Sequence, residues 1–355
     1  MTLDRGVDPG EHRTGSKIAM IARVLLPWLV AGGCLVYAFE MVPLGECIEA
    51  LRRARPALFL PLALAAVLTW FALESAAYAY TFSRFNLPLS WRDARSIRAL
   101  SYLLTAIHWH FAKAAVVLRL NATHGVGILA ATSTILLYQM IGILVLTVFA
   151  GIGALFLPPS AGPVQVSLGA LALAVGLLIA FVLIRSNRPH LRLLDELRAM
   201  TLLQAHRKLE IRDVVIIGGL KVAYQLIFVL VYYFGMRAFG LTPAFSLVLL
   251  ATPILQAVGS LPIAPAGLGT QQAAMLFLFS DPAARGADGA AILAFGFSLP
   301  ITTLMARSLI ALCYLPDLTR TGPGAAGSGA AASNPAAGPS ASSTAGASRP
   351  ATTRA

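Results

Sequence analysis

The sequence predicts an all-α polytopic membrane protein, with about six transmembrane helices and two opposed re-entrant helical hairpins related as an inverted repeat. Three observations predict it. The hydrophobic share is 57% and the charged share only 12%, too few charges for a soluble domain. Apolar runs long enough to cross a hydrocarbon core of roughly 30 Å recur along the chain. Two further apolar stretches, at about 99–122 and 244–282, are broken or too short to cross and read as helices that dip in and return.

In order, residues 1–17 are a polar N-terminus, read as cytoplasmic and not as a cleaved leader. The first span covers about 18–39, with Arg23 placed to snorkel, and the second about 57–80. Between them a loop holds Glu40, Glu46 and Glu49 with Arg52, Arg53 and Arg55. The second span contains Glu74, which is either a functional carboxylate or an interfacial residue near the helix end. Residues 84–98 form a polar patch carrying Arg84, Arg92, Arg95 and Arg98, with a surface turn at Leu87-Pro88-Leu89-Ser90-Trp91. The first hairpin at 99–122 carries His108, His110, Lys113 and Arg119. A long span at 125–156 has Tyr138 and Gln139 at its middle, and another follows at about 166–184 after a charge-free turn. Residues 185–212 hold seven cations with leucines at helical spacing, which predicts an amphipathic helix on an anionic leaflet. The span at 214–236 places Lys221 and Gln225 one turn apart, and the last, about 290–315, contains Pro300 and Arg307. Residues 317–355 form an Ala/Gly/Ser/Pro tail expected to be disordered. The membrane domain is therefore read as 18–316.

Cations accumulate on the cytoplasmic face of membrane proteins. With both termini cytoplasmic, 19 cations fall inside and five outside, provided that 99–122 enters from the cytoplasm and 244–282 from the other side. Arg52, Arg53 and Arg55 run against this arrangement. Under it, the unit of span, hairpin and span at 57–156 is mirrored by the unit at 214–315. The mirror is one of pattern, without residue identity between the halves.

The second hairpin carries the most specific motif, Leu261-Pro262-Ile263-Ala264-Pro265-Ala266-Gly267-Leu268-Gly269-Thr270-Gln271-Gln272. Its prolines and glycines cannot continue a helix, although apolar residues flank them on both sides. This motif, followed by an apolar segment and an arginine-bearing last span, resembles the signature of the lysylphosphatidylglycerol synthase transmembrane region, a flippase-like integral membrane domain. The resemblance covers about 18–316 and implies a bacterial-type cytoplasmic (inner) membrane location. In bifunctional members the domain is fused to a soluble aminoacyltransferase and is held to move the product lipid between leaflets. The tail of this chain, roughly 40 residues, is too short for such a fold, so synthase activity is expected to be absent. Many members carry a glutamate at the place of Gln272, and the first hairpin has His108 and His110 where asparagine and proline are expected.

No catalytic residue, metal set or cofactor-binding loop stands out. His108 and His110 point to different faces of a helix, which is poor metal geometry. The Asn121-Ala122-Thr123 sequon falls on the cytoplasmic side and is discounted. The cysteines, Cys34, Cys47 and Cys313, lack metal spacing and imply no disulfide framework. The net charge of +12 lies beside apolar spans, without an aromatic-interleaved basic motif, so it reads as topology signal and lipid contact and not as nucleic-acid binding. The candidates for an anionic lipid headgroup are Lys221, Arg307, Glu74, Lys113 and Arg119. Backbone amides of Gly267, Leu268, Gly269 and Thr270 are candidate donors at the second hairpin, with Pro262, Pro265 and Gln272 shaping it. Two explanations of the buried cations stay open: a lipid phosphate, or pairing of Lys221 or Arg307 with Glu74 or with carbonyls. At the level of function the leading reading is a flippase-like transporter of an anionic lipid or lipid-linked envelope precursor. The alternative is a non-transporting scaffold that presents substrate to a separate lipid or envelope enzyme through the basic 185–212 segment. An intramembrane enzyme is the weakest reading, since no acid and base pair is placed for it.

Overall fold

The computed structural model describes residues 28–105, 109–156, 201–260, 267, 269–280 and 289–316, together with scattered helical positions between 165 and 179. It is an all-α polytopic membrane protein, with no strand among the described residues. The helices are α1 (Trp28–Met41), α2 (Leu44–Arg53), α3 (Pro56–Phe85), α4 (Trp91–Thr105), α5 (Trp109–His124), α6 (Ile128–Leu155), the short α7 (Gln204–Arg207), α8 (Ile211–Ala238), α9 (Phe245–Ser260), α10 (Thr270–Phe279) and α11 (Gly289–Cys313).

Four of these, α3, α6, α8 and α11, are long and apolar enough to cross a bilayer, and a bent pair of α1 and α2 makes up to five among the described residues. The sixth expected span, at 166–184, lies largely outside the described residues, as do the N-terminus 1–17 and the tail. The spans follow from sequence because they are hydrophobic all round. On α3, Phe59, Ala63, Val67 and Trp70 are buried, while Leu60, Leu64 and Leu68 face outward at one-turn spacing. The outward face suits lipid as well as the inward face suits protein.

Two expectations need correction. The loop placed at 40–56 is largely helical: the chain bends by 76° between α1 and α2, with Pro43 at the N-cap of α2. Proline there fixes φ without removing an intrahelical bond. The segment 201–212 is not a helix lying free on a leaflet. Ala205, His206 and Leu209 are buried against α6, and Arg207, Lys208, Glu210, Ile211 and Arg212 are exposed. Burial pushes the His206 imidazole down to about 4, so it adds no positive charge there near neutral pH. Residues 185–200 lie outside the described residues.

Helix α3 is the axis of the bundle and runs antiparallel to α8. The Arg55 N–H donates to the Ala238 carbonyl at 2.8 Å, Phe59 meets Phe239 edge-on, and the Trp70 indole donates to the Tyr224 carbonyl at 3.3 Å. At the far end Asp213 accepts from Tyr80 at 2.7 Å and from Arg84 Nε at 3.1 Å. The same carboxylate accepts the Glu210 N–H at 2.9 Å, so one acid caps α8 and ties it to α3.

The two hairpins are present as packed helix pairs, α4 on α5 and α9 on α10. At 15, 16, 16 and 10 residues none of these helices reaches roughly 30 Å. Their neighbours exchange under a swap of the halves. Helix α4 packs on α3 and α11, as α9 packs on α8 and α6; α5 packs on α6, as α10 packs on α11. With α3 antiparallel to α8, this is the contact pattern of an inverted repeat.

Candidate functional site

Glu74 lies deeper than the sequence suggested. The helix expected to end near residue 80 continues to Phe85, which puts Glu74 roughly 16 Å from that end. Its partner is Arg98, in an ion pair with both side chains nearly buried, 12% and 13% exposed. Arg98 was expected in the polar patch; instead that patch ends in a turn at 86–90, and α4 begins at Trp91. The Ser90 hydroxyl caps α4, accepting the Asp93 N–H at 3.1 Å and donating to its carboxylate at 2.6 Å. The early start turns Arg98 inward. Glu74 is thereby engaged, and neither Lys221 nor Arg307 has a carboxylate within ion-pair distance among the described residues.

Around this pair runs a closed ring of cations and aromatics. Arg98 lies against Tyr102 and Tyr78, at 4.5 and 5.7 Å from the ring centroids. Tyr78 meets Tyr138 at 5.3 Å, and Lys221 Nζ sits 3.4 Å from the Tyr138 centroid and 5.9 Å from that of Tyr224. Tyr224 meets Trp70 at 5.7 Å. Arg307 closes the ring, 5.9 Å from the Trp70 centroid and 5.3 Å from that of Tyr102. Helices α3, α4, α6, α8 and α11 each contribute, so the site exists only in the assembled bundle. It sits where the core clusters meet: Trp70 belongs to one, Tyr78 and Tyr138 to a second, Tyr102 to a third.

Each cation is held over a ring face, where the π quadrupole attracts it without neutralising it. The Nε atoms of Arg98 and Arg307 are buried without a hydrogen-bond partner. Lys113, half-buried on α5, is within electrostatic reach of Lys221, Arg98 and Glu74. Arg119 sits six residues further along α5, roughly 9 Å along the axis. Four of the five charged candidates thus converge, and Arg119 stands off along its helix. The sequence reading missed Arg98 and all the rings. A signal was present in the one-turn spacing of Trp70, Glu74 and Tyr78 on α3 and of Arg98 and Tyr102 on α4.

The second hairpin is built differently. Pro262, Pro265 and Leu268 lie outside the described residues. Gly267 and Gly269 have φ of 71° and 81°, the left-handed region. A Cβ at Gly269 would lie 2.5 Å from the Ala31 carbonyl oxygen, and one at Gly267 would lie 3.0 Å from Gly259 Cα. Gln272, 1% exposed, accepts the Gly269 N–H at 2.8 Å and donates to the Gly296 carbonyl at 2.9 Å. Thr270 donates to the Gly267 carbonyl at 3.1 Å. The Gly269 amide proposed as a ligand donor is therefore already used. Among the described residues one polar link joins this hairpin to the ring: Gln256 of α9 donates to Gln225 at 2.8 Å, one turn from Lys221. No group of histidine, cysteine and acidic residues fit to hold a metal occurs among the described residues.

The profile of one protein family, described as the lysylphosphatidylglycerol synthase TM region, matches residues 24–311. The chain belongs to that family. The match covers both hairpins and every residue of the ring, and with the spans of α3, α6, α8 and α11 it makes the chain an integral membrane protein of a family named for lipid chemistry. No curated protein matches the chain.

Proposed function

We propose that this member of the lysylphosphatidylglycerol synthase TM region family is a flippase-like protein that binds an anionic lipid or lipid-linked envelope precursor at the ring and carries its headgroup across the bilayer by alternating access. The carrying observation is that Lys221 and Arg307 lie in the bundle against aromatic faces with no carboxylate partner among the described residues, while the one acid at the site is paired to Arg98. Cations so placed favour an anion over remaining unpaired. The inverted contact pattern supports movement of one half against the other. In this reading the protein translocates a lipid and does not modify it, both termini are cytoplasmic, and the membrane is the bacterial-type inner one.

The test is leaflet transfer of labelled anionic lipids in proteoliposomes, with headgroup binding measured alongside. Lys221→Met and Arg307→Met should insert and fold, and each should weaken headgroup binding by about tenfold or more, a loss of about 1.4 kcal/mol or more. Unchanged binding in both variants would remove the ring from the proposal. Binding without transfer of any lipid would favour the second reading, a scaffold presenting lipid to a separate enzyme. The exposed Arg207 and Lys208 beside the ring-bearing helices supply a surface for that enzyme.

A further inference from the structure

The charge of the ring names its ligand more narrowly, on the reading of it as a lipid-headgroup site. Arg98, Lys221 and Arg307 bring three basic side chains to the ring and Glu74 a single acidic one. That carboxylate is held by Arg98, and the Tyr102 hydroxyl lies 3.5 Å from its Oε2. Arg98 and Arg307 both lie against the Tyr102 ring, at 4.5 and 5.3 Å from its centroid, so one side chain links them. Both keep a buried Nε donor without a partner. Lys221 has aromatic faces as its close neighbours, with the open Cα of Gly142 behind it: a Cβ there would meet the Lys221 Cε and Nζ at 3.5 Å.

We propose that Glu74 is a surrogate anion, holding Arg98 until a ligand phosphate displaces it, and that the ring selects a lipid phosphate carrying two negative charges, a phosphomonoester or a diphosphate, over a singly charged phosphodiester. A phosphate that replaces the carboxylate inherits the Arg98 guanidinium and the Tyr102 hydroxyl, and it adds Arg307, whose donors a carboxylate on α3 leaves unused. Its second charge offsets one of the two cations that Glu74 cannot. Headgroups that carry amines are disfavoured by the same balance. That includes the lysyl ester in the name of the family, whose two ammonium groups outweigh its one phosphate. Glu74 acts here as a positioning residue that sets a threshold: a ligand must bind Arg98 better than an internal carboxylate does.

The experiment measures binding to the full chain in phosphatidylcholine nanodiscs at pH 7.5. The probes are dioleoylphosphatidic acid (a monoester), dioleoylphosphatidylglycerol (a diester) and soluble glycerol 3-phosphate. Phosphatidic acid should bind about tenfold more tightly than phosphatidylglycerol. Glu74→Gln, which keeps the shape and removes the competing charge, should bind phosphatidic acid about three- to tenfold more tightly still. A purely structural Glu74–Arg98 pair predicts the opposite sign, since losing one partner loosens the site. Equal affinity for the two lipids, or a folded Glu74→Gln variant that binds phosphatidic acid no better than the native chain, overturns the inference while leaving a lipid site in place. If Glu74→Gln does not fold, the two-lipid comparison on the native chain decides alone. Glycerol 3-phosphate binding as tightly as phosphatidic acid would overturn a lipid as the source of the phosphate. Binding of neither lipid would overturn the headgroup site itself.

Discussion

The two hairpins hold equivalent places in the contact scheme and share almost no chemistry. The first, α4 with α5, carries Arg92, Asp93, Arg95, Arg98, Lys113 and Arg119, and two of these reach the ring or its electrostatic neighbourhood. The second, α9 with α10, contains no charged residue and is fastened by glutamine amides and by glycines pressed against neighbouring backbone. An inverted repeat therefore constrains backbone packing in both halves but leaves side-chain chemistry free to differ. In this protein the first hairpin supplies Arg98 to the ring of cations and aromatics, and the second packs on α6, α8 and α11 without a charged residue.

The sharpest way to break that contrast is at the tip of the second hairpin. Gly269→Leu forces a side chain onto a left-handed residue whose Cβ direction is blocked at 2.5 Å by the Ala31 carbonyl. We expect no monodisperse protein from detergent, whereas Lys221→Met and Arg307→Met elute as the native chain does. A well-folded Gly269→Leu would show that the tip is open and return it to the candidate binding surfaces. A smaller effect is expected from Gln272→Glu, which removes the donor to the Gly296 carbonyl and buries a carboxylate in its place. The loss should be about 1–3 kcal/mol, read as a lowered thermal midpoint with headgroup affinity unchanged.

Much of this contrast was legible in the sequence, and the missing part has a physical cause. Apolar length fixed α3, α6, α8 and α11, because a bilayer demands about 20 such residues in any context. Breakers at 262–269 marked the second hairpin for the same reason. Lys221 and Arg307 stood out as cations in apolar runs. Arg98 did not, because it follows Arg84, Arg92 and Arg95, and a run of basic residues reads as a solvated face. Only the length of α3 and the cap at Ser90 decide that the run divides, with Arg98 turned inward to Glu74. Around Glu74 the apolar run stops near residue 80, whereas the helix continues to Phe85. The closed order of the ring could not be read at all, since neighbours such as Tyr138 and Lys221 are joined by packing of α6 on α8 and not by spacing along the chain.

The smallest expected effect tests whether the division between the hairpins extends to the polar link from α9 to α8. Gln256 donates to Gln225, which is 1% exposed and keeps a buried Nε2 without a partner. Replacing one glutamine alone would strand the other. Replacing both, as Gln225→Leu with Gln256→Leu, removes the pair together with the unsatisfied donor, a change that is close to neutral when the shapes match. The double variant should therefore stay within about 1 kcal/mol of the native stability. If headgroup charge is held by Arg98, Lys221 and Arg307 alone, its affinity for an anionic lipid should also stay within about threefold, or roughly 0.7 kcal/mol. A larger loss of affinity without loss of stability would mean that the ligand reaches past Lys221 to the glutamines. The uncharged hairpin would then form part of the binding site, and the free Nε2 of Gln225 would be the donor that meets the ligand.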